Sequence, residues 1–271
     1  MYKTLLAIKE KVPNSEISDF TFPVTIKENI KDSTFIPPPL KGIYIWSKSL
    51  TEANIQMLSD YITLNNFNQI VVSYKFDKAY LQILKAFINK NYTNKISLLI
   101  GNNKLINGGM PVYLDSLANV MPLNFIKSIH LDIEPHTFDD FKTNQSAYFN
   151  KYIQVLDAAD FFCKKHNLQL EVSIPLSYPD NVLDKIYSVC GKVYLMAYEN
   201  TGVDFILRKA EEEIQRSKAK TVLVLRSKDF ENRSQMEEHF KKLGIKNTAY
   251  HDFESLLELD KKAVNVNENE K

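Results

Sequence analysis

Glycine is scarce in this sequence, seven residues in 271, and none falls in a G-x-x-x-x-G-K-[ST] or G-x-G-x-x-G pattern. The loops that cradle nucleotide phosphates are therefore excluded. Cysteine is scarcer still. Cys163 and Cys190 are the only two, which rules out a disulfide framework and leaves them as small, buried or half-buried thiols. No apolar run approaches the ~20 residues that cross a bilayer, and no membrane partner is expected. Near the start only residues 5–8 are continuously apolar, against the roughly 7–15 residues of a secretory core. With no signal peptide visible, the expectation is a cytoplasmic chain as written, extracytoplasmic if the N-terminus is incomplete. Neither sign of charge dominates: 34 Lys and Arg face 33 Asp and Glu, interspersed, for a net charge of +1. Without a basic block, nucleic acid is not an expected partner. The five histidines form no H-x-H or H-E-x-x-H pattern, and no metal or other cofactor is expected.

What the chain has is alternation. At 44% hydrophobic and 25% charged, its length suits one barrel-sized globular domain. Residues 1–40 carry weak periodicity and end in Pro37-Pro38-Pro39, which reads as an N-terminal extension packed on the domain. From there strand-like segments at 42–46, 69–74, 96–101, 125–134, 168–174, 192–198, 220–226 and, more weakly, 246–251 alternate with helical patterns. The helical patterns cover 51–65, 78–91, 113–120, 145–166, 181–189, 203–217, 235–243 and 253–261, with Ser49 or Thr51 as the first cap. Several strands are near-continuous apolar runs, as in parallel strands covered on both faces. The fold class is α/β. Eight β–α units over 41–261 predict a (β/α)8 TIM barrel, irregular if the eighth strand fails, with an open doubly wound sheet as competitor. Residues 262–271 read as a polar, frayed tail.

The most informative stretch is Ile129-His130-Leu131-Asp132-Ile133-Glu134-Pro135-His136. A strand has a side-chain period of two, so the apolar residues share one face and His130, Asp132 and Glu134 share the other. On one strand the Cα atoms of Asp132 and Glu134 stand about 6.6 Å apart. Mutual repulsion and partial burial would raise one pKa, preparing an acid able to protonate a leaving oxygen, with Glu134 nearer the mouth. Functional residues of such barrels gather at the C-terminal strand ends. That places Tyr44, Trp46, Tyr74, Tyr178, Tyr198, Glu199, Arg226, Tyr250 and His251 around one mouth. Aromatic faces beside carboxylates suit sugar rings, so a carbohydrate is the expected partner. Two carboxylates from one strand do not flank a bond as in most glycosidases, but substrate-assisted enzymes are an exception.

The sequence resembles the chitinase and endo-β-N-acetylglucosaminidase glycosidases of glycoside hydrolase family 18. Their strand-four motif, D-G-x-D-x-D-x-E, matches at Asp132 and Glu134, with Lys127 and His130 in place of the first two acids. Their strand-six motif, M-x-Y-D, matches Met196-Ala197-Tyr198-Glu199 with Glu for Asp. Their strand-three ending, S-x-G-G, is echoed around Gly101-Asn102, and Trp46 is the chain's only tryptophan. The resemblance implies a retaining, substrate-assisted hydrolase of a β-linked, N-acetylated glycan. It implies Glu134 as general acid/base, Asp132 as the group orienting the acetamido arm, Tyr198 as donor to the acetamido oxygen and Glu199 on a sugar hydroxyl. Trp46, Tyr44, Tyr74, Asn102, His136, Arg226 and Tyr250 complete the expected substrate contacts.

Three alternatives stand beside this. One is a metal-dependent hydrolase or isomerase using His130, Asp132, Glu134, His136 and His251. Another is a barrel that binds a glycan or a protein without catalysis. The third is structural: Asp132 and Glu134 paired internally with Arg226 or a lysine. The sequence leaves the oligomeric state open.

Overall fold

The computed structural model describes residues 38–176, 178–198 and 202–269, with side chains as far as Lys262. The expected N-terminal extension therefore lies outside the described residues except for Pro38, Pro39 and Leu40, and so does Glu199. Eight strands close in chain order into one parallel barrel. They are β1 (Lys41–Ile45), β2 (Gln69–Ser73), β3 (Lys95–Ile100), β4 (Ser128–Leu131), β5 (Gln169–Pro175), β6 (Lys192–Met196), β7 (Thr221–Arg226) and β8 (Thr248–His251). The weak eighth strand closes the ring by pairing with both β7 and β1.

The helices outside the barrel are α1 (Ile55–Leu64), α2 (Lys78–Lys90), α3 (Met110–Val120), α4 (Phe141–Lys165) and α5 (Asp180–Val189). They continue with α6 (Val203–Lys209), α7 (Glu211–Ser217), α8 (Arg233–Leu243) and α9 (Phe253–Asn269). The longer helices lay apolar stripes on the barrel; α2, for example, buries Tyr80, Leu84, Phe87 and Ile88. Local chemistry sets their ends. Asp77 caps α2 by accepting from the Tyr80 amide at 2.7 Å, and Asn232 caps α8 through the Gln235 amide at 2.9 Å. Gly109 enters α3 at φ 88°, a left-handed backbone that a glycine adopts freely. The pattern over 203–217 is two helices rather than one, with Ala210 (φ −92°, ψ 4°) between them. The last helix runs past Lys261 to Asn269. Cys163 and Cys190 are buried and unpaired.

Two packed regions result. The shell between strands and helices is largely apolar, from Ile43 and Ile70 to Leu225 and Leu256, with buried polar pairs at Ser59–Asn91 and Tyr187–Thr221. Inside the barrel a smaller cluster of Tyr44, Val71, Leu99, Tyr194, Val222, Val224 and Ala249 is capped by Trp46 and Tyr198. Polar side chains complete that interior, where branched apolar residues usually fill it.

Candidate active site

The interior is built from the inward positions of neighbouring strands. His130 and Glu171 are direct register partners on β4 and β5. Ser97 and Ser128 are partners on β3 and β4. His130 is fully buried. Its Nε2 lies 2.7 Å from Ser173 Oγ, and its Nδ1 lies 3.4 Å from Glu171 Oε2. Ser173 Oγ also meets the Tyr44 hydroxyl at 2.9 Å. Ser97 donates to Glu171 Oε2 at 2.7 Å and touches Ser128 Oγ at 2.6 Å. Tyr194 packs edge-on against His130, with centroids 4.6 Å apart. Its hydroxyl, directed toward Glu171, makes no bond of standard geometry. Serine, histidine and glutamate thus stand in the connectivity of a nucleophile, base and orienter. Ser173 is 1% exposed and sits under Tyr44, so no acyl substrate reaches it. This is a buried support.

Asp132 sits one inward position above His130. Ladder pairing of β4 ends at Leu131, but the Asp132 amide still donates to the Ile100 carbonyl at 3.0 Å, which keeps it in line with β3. Its Oδ1 is buried without a hydrogen bond. Burial, offset in part by His130 and reinforced by Glu134, pushes its carboxyl up to about 6. Among the described residues no ion pair joins Asp132 to a cation, and Arg226 instead donates to Asp229 Oδ1 at 2.9 and 2.6 Å.

Glu134 lies beyond the strand, on a short turn that another loop fixes. The Glu134 amide donates to Asn103 Oδ1 at 2.9 Å, while Asn103 Nδ2 donates to Thr137 Oγ1 at 2.9 Å. Thr137 Oγ1 donates to the Glu134 carbonyl at 2.7 Å. Pro135 follows and holds φ for the 3-10 turn. The Glu134 side chain stays 30% exposed, with Oε1 4.0 Å from His136 Nε2.

Across the mouth stands a wall of rings. Trp46 and His251 are 5.4 Å apart, His251 and Tyr198 4.7 Å, and Tyr44 and His251 5.6 Å. The Arg226 guanidinium lies over the Tyr198 ring at 5.8 Å. Burial, then the charges of Tyr44, Asp132 and Glu134, push the Tyr198 hydroxyl well up, so it is a donor at neutral pH. Burial lowers the His251 imidazole. The peptide between His251 and Asp252 is cis.

Two clefts flank the Glu134 turn. One of about 450 Å³ opens over the ends of β1 to β3, lined by Trp46, Tyr74, Lys75, Phe76, Asn102 and Tyr113. The other, of about 330 Å³, opens over β4 and β5, lined by His136, Phe141, Gln145, Phe149 and Tyr178.

Of the expected residues, Trp46, Asp132, Glu134, Tyr198 and Arg226 stand around one mouth, and Tyr44 is buried beneath it on Ser173. Tyr74 and Asn102 line the first cleft and His136 the second. Tyr250 goes elsewhere. It faces the helices, packed on Phe67 and Phe240, and donates to Glu237 at 2.6 Å. Its neighbour His251 faces the mouth, because alternate residues of a strand face opposite ways. Sequence reasoning did not single out Asn103, Phe76, Tyr113, Glu171 or Ser173. For the last two a signal existed: Gln169, Glu171 and Ser173 alternate with Leu170, Val172 and Ile174. Among the described residues no three His, Cys, Asp or Glu side chains converge as metal ligands.

No known family matches the sequence, and no curated protein does. Solved structures match in fold. The PgaB (BpsB) glycoside hydrolase domain from Bordetella bronchiseptica matches at a TM-score of 0.58 and 9% identity, over 81% of this chain and 96% of that one. The spore cortex-lytic enzyme SleL of Bacillus megaterium matches at 0.55 and 12%, over 79% and 70%. Chitinase barrels are among the similar structures too. The tryptophan synthase α subunit of Legionella pneumophila matches at 0.55 and 9%, over 81% of each chain. The chain is thus a (β/α)8 barrel that resembles the barrels of chitinases and other glycoside hydrolases. Likeness at this identity defines the fold, and function must be argued from the site.

Proposed function

We propose that this barrel is a glycoside hydrolase that cleaves a β-linked, N-acetylated glycan with retention, using the substrate's acetamido group as nucleophile. The observation that carries the reading is Asp132 Oδ1, buried without a partner at the mouth that holds the Trp46–His251–Tyr198 wall, with Glu134 two residues ahead on a pinned turn. A buried carboxyl oxygen without a partner is costly unless a ligand completes it. An acetamido N–H is such a ligand.

In this reaction ionised Asp132 accepts the acetamido N–H and aims the acetamido oxygen at the anomeric carbon. Its charge then opposes the positive charge of the oxazolinium-like intermediate. Glu134 gives its proton to the leaving glycosidic oxygen as that bond breaks. It then takes a proton from the water that opens the intermediate, restoring the configuration. Tyr198 donates to the acetamido oxygen. Trp46 receives the ring face, backed by the buried Tyr44 ring, while Glu199, Arg226 and His136 serve sugar hydroxyls.

The test is hydrolysis of chromogenic β-N-acetylglucosaminides and β1,4-linked N-acetylglucosamine oligomers. Glu134→Gln should lower kcat by about 10²–10⁴-fold with folding unchanged. Equal turnover in the variant would overturn the mechanism. Glycan binding in both forms with turnover in neither would make the protein a non-catalytic glycan-binding barrel.

A further inference from the structure

Charge divides between the two ends of the barrel. The strands are parallel, so all of them start at the end opposite the mouth. Lys41, Lys95 and Lys192 open β1, β3 and β6, while Lys127, Lys220 and Lys246 stand one or two residues before β4, β7 and β8. Far apart in sequence, these lysines are gathered by the topology into one ring, a basic patch that no contiguous run announces. The segments that lead into the strands are 38–40, 65–68, 91–94, 121–127, 166–168, 190–191, 218–220 and 244–247, and none contains Asp or Glu. The loops at the mouth end carry acids instead, among them Asp77, Asp132, Glu134, Asp140, Asp229 and Asp252. We propose that the basic end is a docking surface for an anionic lipid membrane, with the mouth turned to the water.

Of the six lysines, Lys41 alone forms an ion pair among the described residues, with Glu237 at 3.7 Å. Helix macrodipoles favour cations beside the last carbonyls, and Lys220 fills that role by donating to the Tyr187 carbonyl of α5 at 2.6 Å. Lys192 likewise donates to the Ala219 carbonyl at 2.7 Å. Lys95, Lys127 and Lys246 are exposed and donate to no such carbonyl among the described residues, so their charge faces outward. The same end also exposes apolar side chains along one arc. Leu64 ends α1 at 80% exposure, Tyr92 follows α2 at 62% and Phe125 precedes β4 at 37%. They stand on the connections into the neighbouring strands β2, β3 and β4, with Tyr92 close to Lys95 in sequence and Phe125 close to Lys127. Apolar side chains interspersed with lysines suit an anionic bilayer, where aliphatic and aromatic groups enter the headgroup layer and ammonium groups meet the phosphates. A nucleic acid fits this end less well. The segments leading into the strands hold no arginine to grip phosphate with a fork, and the Leu64 side chain has no ring on which a base could stack.

The experiment is co-sedimentation of the full chain with vesicles of phosphatidylcholine, alone or with about one-third phosphatidylglycerol, at roughly 0.1 M salt. The protein should sediment with the anionic vesicles, stay free of the neutral ones, and be released at about 0.5 M salt. Lys95→Gln, Lys127→Gln and Lys246→Gln together, all at exposed positions, should weaken partitioning about 100-fold. Leu64→Ala with Tyr92→Ala should weaken it about tenfold. The salt and headgroup arms use the unaltered protein, so they decide the question even where a variant folds poorly. Equal binding to both vesicle types, binding to neither, or a folded triple variant that binds like the parent would overturn the proposal. So would tighter binding to a DNA duplex than to anionic vesicles at equal phosphate concentration, which would make this end a nucleic-acid surface. Lipid binding is read without a glycan, so the proposal stands or falls apart from the glycosidase reading.

Discussion

His130 and Asp132 occupy successive inward positions on one strand line, yet their surroundings are opposite. Around His130, both ring nitrogens and the hydroxyls of Ser97, Ser128, Ser173 and Tyr44 have partners. One residue pair higher, Asp132 Oδ1 has none, and the Tyr74 and Tyr178 hydroxyls at the two clefts have none. Apart from the Tyr194 hydroxyl, the barrel floor is a satisfied network, whereas the mouth leaves the Asp132, Tyr74 and Tyr178 oxygens without partners. Satisfied buried polar groups hold a structure together, whereas unsatisfied ones cost stability until something binds. The same polar chemistry therefore reads as support below and as function above.

The largest effect should come from breaking the floor. Glu171 is the acceptor for Ser97 and the partner of His130, with its side chain 3% exposed. Glu171→Ala leaves both groups buried without it and should cost about 3–5 kcal/mol. Urea denaturation of the two proteins measures it. A loss under about 1 kcal/mol would mean the floor is not the keystone its bonding suggests.

At Asp132 the sign reverses. Its carboxyl is pushed from 3.8 to about 6 on folding. The folded state therefore binds the proton more tightly than the unfolded state. The stability linked to this proton is fully present below pH 3.8 and is lost as pH rises through about 6. Holding Asp132 ionised at neutral pH thus destabilises the fold, by at most about 3 kcal/mol for a shift of that size. Asp132→Asn should be more stable than the parent at pH 7 by about 1–3 kcal/mol, with the difference vanishing toward pH 4. It should also lose turnover, and the parent's activity should fall as pH drops below about 6, where Asp132 takes up its proton. Thermal unfolding and kcat/KM across pH 4–8 check both. A variant less stable than the parent at pH 7 would show that Asp132 supports the fold instead of straining it.

The floor was half legible in the sequence and the mouth was legible only where strands reach it. The strand patterns placed every strand but β4 within two residues, and alternation put His130 and Asp132 on the inward face. It extended β4 through Glu134, because alternation continues past the point where Pro135 and the Asn103 contact turn the chain away from the ladder. It offered no choice between Tyr250 and His251. Both faces of β8 are covered, so hydropathy does not say which neighbour looks inward. Asn103, Phe76 and Tyr113 come from loops and a helix, where no period reports the meeting of distant segments.

The finest test of floor against mouth uses two tyrosines and one deleted oxygen. The Tyr44 hydroxyl is bonded to Ser173 at 2.9 Å. The Tyr178 hydroxyl is buried without a partner, its ring held by Phe149 at 5.3 Å and Tyr152 at 5.8 Å. Burial, then the charges of Glu134 and Asp132, push that hydroxyl well up, so it stays protonated beside the carboxylates. Tyr44→Phe removes a made bond and should cost about 0.5–1.5 kcal/mol. Tyr178→Phe removes a group that has given up water for nothing, so stability should hold or rise by up to about 1 kcal/mol. Paired urea titrations at pH 7 read both numbers on the same scale. Equal losses would erase the distinction between floor and mouth. A loss at Tyr44 alone would leave the Tyr178 hydroxyl as a group kept for a ligand, next to the carboxylate that would cut it.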